Sequence, residues 1–369
     1  MLNRIGALVL SGLMLAATAN AIEVKTVTML DKGEPWEAMV YHGGQLWVGH
    51  SRSQFNANYK IETYATNGKM TASVAMPHSI MFMYPYGTNS VMTVGVQPDK
   101  NSTVYSIVTI DNGQLSAKSV RIPDDAWAHR WIGHFGDTQV FSDPGGNQND
   151  PEGSENPNLP AMTLFKMNGR GVDYYTTRLR MPGEGMIIGN DMYVITSDGI
   201  GSLGSNLAKI DIHSGDLQMV FPTKRNSLVS LAHIPSLNAM VGAERMKGSL
   251  VIADLQNSAN VKEVTTLSEP KTLAAAGRCV VVGSYEDRKV QILRLNDDLT
   301  AKELLSWDVG VPETEFTRMN KVAVDMANKV IFGRSNFACN PMTDPCAHPY
   351  NRVLQWSGKE ITAALAQCE

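Results

Sequence analysis

One turn keeps returning along this chain, and it limits what the chain can fold into. "ETYATNGKMTAS" (residues 62–73) alternates toward a reversal at Asn67-Gly68 and alternates away from it. Such a pair between alternating runs is the strongest short-range hairpin signal, because a type I′ turn needs positive φ at both central residues. The device recurs in "VTIDNGQLSAK" at Asn112-Gly113, "LFKMNGRGVDY" at Asn168-Gly169 and "AKIDIHSGDLQM" at Ser214-Gly215. Looser versions lie near Asn257-Ser258 and Asp297-Asp298, and "VLQWSGKEITA" repeats it at Ser357-Gly358. Gly68 and Gly113 are 45 positions apart, and Gly169 and Gly215 are 46 apart. A period of this length marks a solenoid or a propeller.

A second series keeps the same rhythm. Apolar strands closing on a small residue appear as "QLWVGH", "SVMTVGV", "DTQVFSD", "DMYVITS", "NAMVGAE", "CVVVGSY" and "KVIFGRS". Each follows a short apolar run and a turn, so each unit reads as four antiparallel strands. A single four-stranded sheet cannot bury both faces, whereas a ring of them buries each between two neighbours. The expectation is an all-β fold, a seven-bladed β-propeller of four-stranded antiparallel blades over residues 22–369. Both termini would close the ring, with residues 22–30 as the outer strand of the last blade. "EITAALA" (360–366) competes for that place and also fits a short helix.

In blade rhythm the chain resembles exported bacterial propellers of the YVTN and WD40-like type. The likeness is one of spacing, since no "YVTN" occurs and the one Trp-Asp pair, Trp307-Asp308, falls on a predicted fourth strand. Related folds include scaffolds, lactonases, lyases and subunits of periplasmic dehydrogenases, so the resemblance implies an architecture and not one activity.

The first 21 residues read as a signal peptide: Arg4, an apolar stretch from Ile5 to about Ala17, then Ala19-Asn20-Ala21. No other segment approaches the ~18–20 apolar residues of a membrane span. A periplasmic or secreted soluble protein is expected. Charged residues make up 18% of the chain, the formal net charge is −4, and there is no basic run to track a phosphate backbone, which argues against nucleic acid. Four cysteines suit an oxidising compartment. Cys339 and Cys346 bracket "CNPMTDPC" and would clamp a loop, while Cys279 with Cys368 would tie the C-terminal tail to a strand. A zinc site lacks both a C-x-x-C pair and histidines at ligand spacing.

Loops joining consecutive blades share one face with loops after each second strand, and that mouth of the channel is where ligands usually sit. Two long loops crowd it, 143–160 and 334–350. Asp143, Asn147, Asp150, Glu152 and Glu155 could hold calcium in the first, although a solvated acidic insertion explains them equally well. His78 and His129 precede first strands, and with Glu184 they form a candidate acid–base set. Trp36, Glu37, His50, Arg52, Trp127, Arg130, Arg225, Arg318 and Arg334 are candidate ligand contacts on the same face. Arginines at about one per blade, Arg245 and Arg288 included, would favour an anion. Acidic neighbours such as Glu244 and Glu286 could instead pair with them in a solvated rim.

"GIGSLG" (199–204) fits G-x-G-x-x-G, but a strand follows it where a dinucleotide site needs a helix. The expected role is a binding or scaffold module for a protein, peptide or glycan. The alternatives are a lyase or lactonase acting on an anionic small molecule, and the propeller subunit of a redox complex.

Overall fold

The seven apolar runs become the second strands of seven four-stranded antiparallel sheets. The computed structural model describes residues 22–30, 37–50, 59–97, 102–121, 130–136, 138–142, 162–166, 172–175, 182–197, 204–257, 259–313, 316, 318–335 and 351–369. We number the sheets by their first strands: Met39–His42, Phe82–Tyr86, Arg130–Phe135, Gly185–Ile188, Leu228–Ile234, Pro270–Ala276 and Met319–Asp325. The result is a β-propeller.

Burial on both faces explains why the second strands are nearly pure apolar runs. In Asp191–Ser197, Met192 and Val194 pack toward sheet 3 while Tyr193 and Ile195 pack toward sheet 5. In Cys279–Ser284, Val280 and Val282 face sheet 5 while Cys279 and Val281 face sheet 7. Every buried cluster among the described residues lies between two consecutive sheets. One joins the last to the first through Ala323 and Phe332 against Leu46 and Val48.

The small residue closing each second strand lets neighbouring sheets approach. A methyl on Gly49 would sit 2.8 Å from Ile80 and one on Gly283 2.5 Å from Met319, each of the next sheet, while one on Gly95 would meet the Ser79 carbonyl oxygen of its own sheet at 1.6 Å. Among the described Asn-Gly and Ser-Gly turns, only Asn112-Gly113 has positive φ at both residues, as type I′ demands. At Asn67-Gly68 and Ser214-Gly215 the glycine alone is left-handed. There the loop is longer: Ala65 N–H bonds the Lys69 carbonyl, and Asp211 N–H bonds that of Asp216. Asn168-Gly169 and Ser258 lie outside the described residues.

Ser357-Gly358 corrects the sequence reading more substantially. No hairpin forms there. Gly358 (φ 114°) is the N-cap of a helix, Lys359–Ala366, whose Ile361, Ala364 and Leu365 cover the cluster between sheets 6 and 7. The fourth strand of the last sheet is instead Glu23–Leu30, antiparallel to Asn351–Ser357. The rival placement of 360–366 as that strand is therefore wrong, and its helical reading holds.

The Cys279–Cys368 disulfide fastens the helix end to sheet 6, with Arg278 N–H donating to the Cys368 carbonyl at 2.7 Å. Cys339 and Cys346 lie outside the described residues. Sheets 1 and 7 are stitched by Thr66, which donates to Asp325 at 2.7 Å and accepts from Asn328 at 3.2 Å. Burial, reinforced by the Asp325 carboxylate, pushes the nearby Tyr41 hydroxyl up to about 12.

Candidate functional site

The first strands are the innermost elements, and they gather charge near their N-terminal ends. Arg130 opens the first strand of sheet 3 and spans to Glu37, which immediately precedes sheet 1. The two Arg130 terminal nitrogens donate to the Glu37 carboxylate at 3.1 and 3.4 Å. Lys271 of sheet 6 reaches the same carboxylate at 3.4 Å, and Glu184, just before sheet 4, lies 3.9 Å from Arg130. Ser230 of sheet 5 donates to Glu184 at 3.4 Å, and the Arg130 guanidinium stacks 4.2 Å over the Phe82 ring of sheet 2. Side chains from six sheets thus converge.

Their electrostatics follow from burial and proximity. Burial pushes the Glu37 carboxyl up, but the charges of Arg130, Lys271 and Lys321 outweigh it and hold it well below the usual carboxylate range. Burial likewise opposes charge on Arg130, yet Glu37, Tyr84 and Glu184 raise its pKa further. Burial raises the Tyr84 phenol, although the neighbouring Arg130 guanidinium works against that rise. The Glu37–Arg130 pair is therefore fixed in its ionised form.

Three of these residues, Glu37, Arg130 and Glu184, are legible as candidates in the sequence. Lys271, Lys321, Ser230 and Tyr84 are not, but a signal for three of them exists. Ala38, Leu231, Thr272 and Val322 are the first-strand partners of Gly49, Gly242, Gly283 and Gly333. The residues just before those partners are Glu37, Ser230, Lys271 and Lys321. Aligning the repeats on the second-strand glycine finds the axial position in four sheets at once.

Other candidates go elsewhere. His78 is buried (1% exposed), with Nδ1 2.7 Å from the Ser79 carbonyl and Nε2 2.6 Å from Ser106 Oγ. Burial pulls its pKa down. Its hydrogen bonds run within sheet 2, to Ser79 and Ser106. His50 is buried beside Glu62 at 2.8 Å. Burial works against the Glu62 charge, but hydrogen bonds from His50, Lys60 and Tyr64 hold it at about 2.

Arg334, near the end of the second strand of sheet 7, does not face solvent. It is fully buried and donates from one terminal nitrogen to the carbonyls of Ala38 at 3.1 Å and Gly49 at 2.9 Å. The side chain staples sheet 7 to sheet 1. Trp36, Arg52, Trp127, His129 and the 143–160 loop proposed for calcium lie outside the described residues. Among the described residues, no three His, Cys, Asp or Glu side chains gather as metal ligands.

Arginines on this face pair with acidic neighbours, some of them buried. Arg225 bridges Glu244 and Glu263, each at 2.8 Å, and Arg318 lies 4.0 Å from Glu286. Tyr285 is flanked by two guanidinium groups, Arg245 at 4.4 Å and Arg318 at 4.9 Å from its ring centroid. Met246 beside them is 59% exposed. Second strands run antiparallel to first strands, so this patch and the axial cluster open on the same face.

No family model matches the chain, and no curated protein matches it in sequence. Virginiamycin B lyase from Staphylococcus aureus is similar over 91% of this chain and 99% of its own, at 14% identity and a TM-score of 0.61. Hydrazine synthase from Kuenenia stuttgartiensis is similar over 84% of this chain and 95% of its own, at 14% identity and a TM-score of 0.59. A functionally unknown protein from Desulfotomaculum acetoxidans follows, over 78% and 89%, at 14% identity and a TM-score of 0.56. Identity this low speaks for shape alone, and the shape common to chain and neighbours is the propeller.

Proposed function

We propose that this chain is an exported, soluble binding or scaffold module that takes a protein, peptide or glycan at the face where its first strands begin. In this reading residues 1–21 are a cleaved leader, and the seven sheets form one closed seven-bladed ring. The buried cluster between the last and first sheets supports closure, as does the pairing of Glu23–Leu30 with Asn351–Ser357. The Cys279–Cys368 disulfide suits an oxidising compartment. Among the described residues no helix is long and apolar enough to cross a membrane.

The observation that carries the binding reading is the Arg245–Tyr285–Arg318 stack beside exposed Met246. Tyr, Arg and Met are the residue types enriched at interfaces, and stacking fixes the aromatic ring before a partner arrives. The test is a screen of immobilised protein against a peptide library and a glycan array, with a Tyr285→Ala, Arg318→Ala variant alongside. Specific capture lost in the variant is expected. Identical profiles for both proteins would reject the rim as the binding surface.

A second reading, a lyase or lactonase acting on an anionic small molecule, draws on Glu37 and Glu184 lying on either side of Arg130 near the axis. The likeness to virginiamycin B lyase is in keeping with it. It predicts turnover of an anionic lactone that Glu184→Gln abolishes while the protein stays folded.

A further inference from the structure

Sheets 7 and 1 meet through an interface that differs from its neighbours in what it buries. Among the described residues four Asp, Glu, Lys or Arg side chains are buried: Glu62, Glu244, Asp325 and Arg334. Three of the four lie between sheets 7 and 1, so buried charge is concentrated at one interface. Arg334 reaches across to the Ala38 and Gly49 carbonyls, and Asp325 accepts from Thr66 of sheet 1. Glu62 stands opposite Val48 in register and shares its face, which packs against sheet 7. Buried His50 lies beside Glu62 at 2.8 Å. The fourth, Glu244, pairs with Arg225 in the link from sheet 4 to sheet 5.

The other interfaces of sheets 6 and 7 are built differently. Between sheets 5 and 6 the buried cluster is Ala, Val, Leu and Ile throughout, with no buried charge among the described residues. Between sheets 6 and 7 the Lys359–Ala366 helix covers the cluster, and the Cys279–Cys368 bond fastens it. Taking charges out of water offsets much of the attraction between them, so a charged interface holds less firmly than an apolar one. Folded proteins open locally where apolar contact is thinnest. We propose that the interface between sheets 7 and 1 is a polar latch, the place where the ring opens while its other sheets stay folded. The latch rests on the closed ring proposed above. Opening there breaks neither the disulfide nor the helix cover, since both lie on the other side of sheet 7.

Ala232 and Ala323 are matched probes. Both are buried, and each stands opposite the residue before its second-strand glycine. Ala232 packs toward sheet 6 and Ala323 toward sheet 1. Full-length Ala232→Cys and Ala323→Cys variants are labelled with Ellman's reagent in native buffer, with the wild type as background. The thiol from Ala323→Cys should react about tenfold faster or more, as sub-global opening implies. Val48→Cys and Val282→Cys, buried on the same two interfaces, replace any member whose thermal midpoint shows misfolding. A separate Thr66→Cys, Asp325→Cys variant should cross-link, which non-reducing peptide mapping reads. Equal rates at the two interfaces in a ring that cross-links would overturn the latch. No cross-link, with the thiol from Ala323→Cys reacting as fast as an exposed one, would reject the closed ring itself.

Discussion

Arg334 donates to the carbonyl oxygens of Ala38 and Gly49, 296 and 285 residues away in sequence, from a position with no solvent exposure. A guanidinium at the seam between sheets 7 and 1 holds two carbonyls that water cannot reach. Arg334→Met should leave both without that donor and destabilise the fold by about 3 kcal/mol. Urea denaturation measures this. A loss below about 1 kcal/mol would mean that the seam repairs itself.

The glycines closing the second strands give a graded prediction. At Gly95 an added methyl meets backbone oxygen at 1.6 Å, while at Gly242 it meets the flexible Leu228 side chain at 2.9 Å. Gly95→Ala should cost about 3 kcal/mol or prevent folding, and Gly242→Ala about 1 kcal/mol, because overpacking is relieved only where the neighbour can rotate. Thermal midpoints of the two variants should keep that order.

Joining residues 89 apart, the Cys279–Cys368 bond closes a large loop in the unfolded chain. Replacing both cysteines with alanine should remove about 2–5 kcal/mol by the loop-closure argument. It should also loosen the Lys359–Ala366 helix first. Amide hydrogen exchange reads both effects, and protection of that helix equal to wild type would contradict the second.

Acid should weaken the protein in two stages. His78 is held neutral by burial, so the unfolded chain protonates first as pH drops below the ordinary value of 6.5, and stability declines until the folded ring also protonates. Glu62, held at about 2, contributes stability that is complete above its ordinary 4.5 and is lost as pH falls toward 2. Denaturation midpoints between pH 7 and pH 2 should show both declines. Glu62→Gln should flatten only the lower one, and His78→Phe only the upper.

Much of the architecture is legible in the sequence because the second strands are buried on two faces and advertise themselves as apolar runs. The seven runs from "QLWVGH" to "KVIFGRS" coincide with strands Gln45–His50 through Val330–Ser335. Turn chemistry misled at Ser357-Gly358, where glycine suits a helix N-cap as well as a hairpin and only tertiary contacts decide. Sites were harder. His78 and Arg334 carry polar groups that look functional in a string of letters, yet the surrounding sheets satisfy them with Ser106, Ala38 and Gly49. Lys271 and Lys321 escaped notice because single lysines near strand starts look like solvated ones, and only alignment on the glycine of the next strand aims them at the axis.

Glu23–Leu30 finds its neighbour, Asn351–Ser357, more than 300 residues later. A ribosome makes the first strand long before the last, so during synthesis this segment waits as an open edge with nothing to pair against. That pairing can form only once Asn351–Ser357 has been made. A helper that shields the early strand, or transport that keeps the whole polypeptide extended until release, would serve such a molecule better than stepwise assembly from the amino terminus.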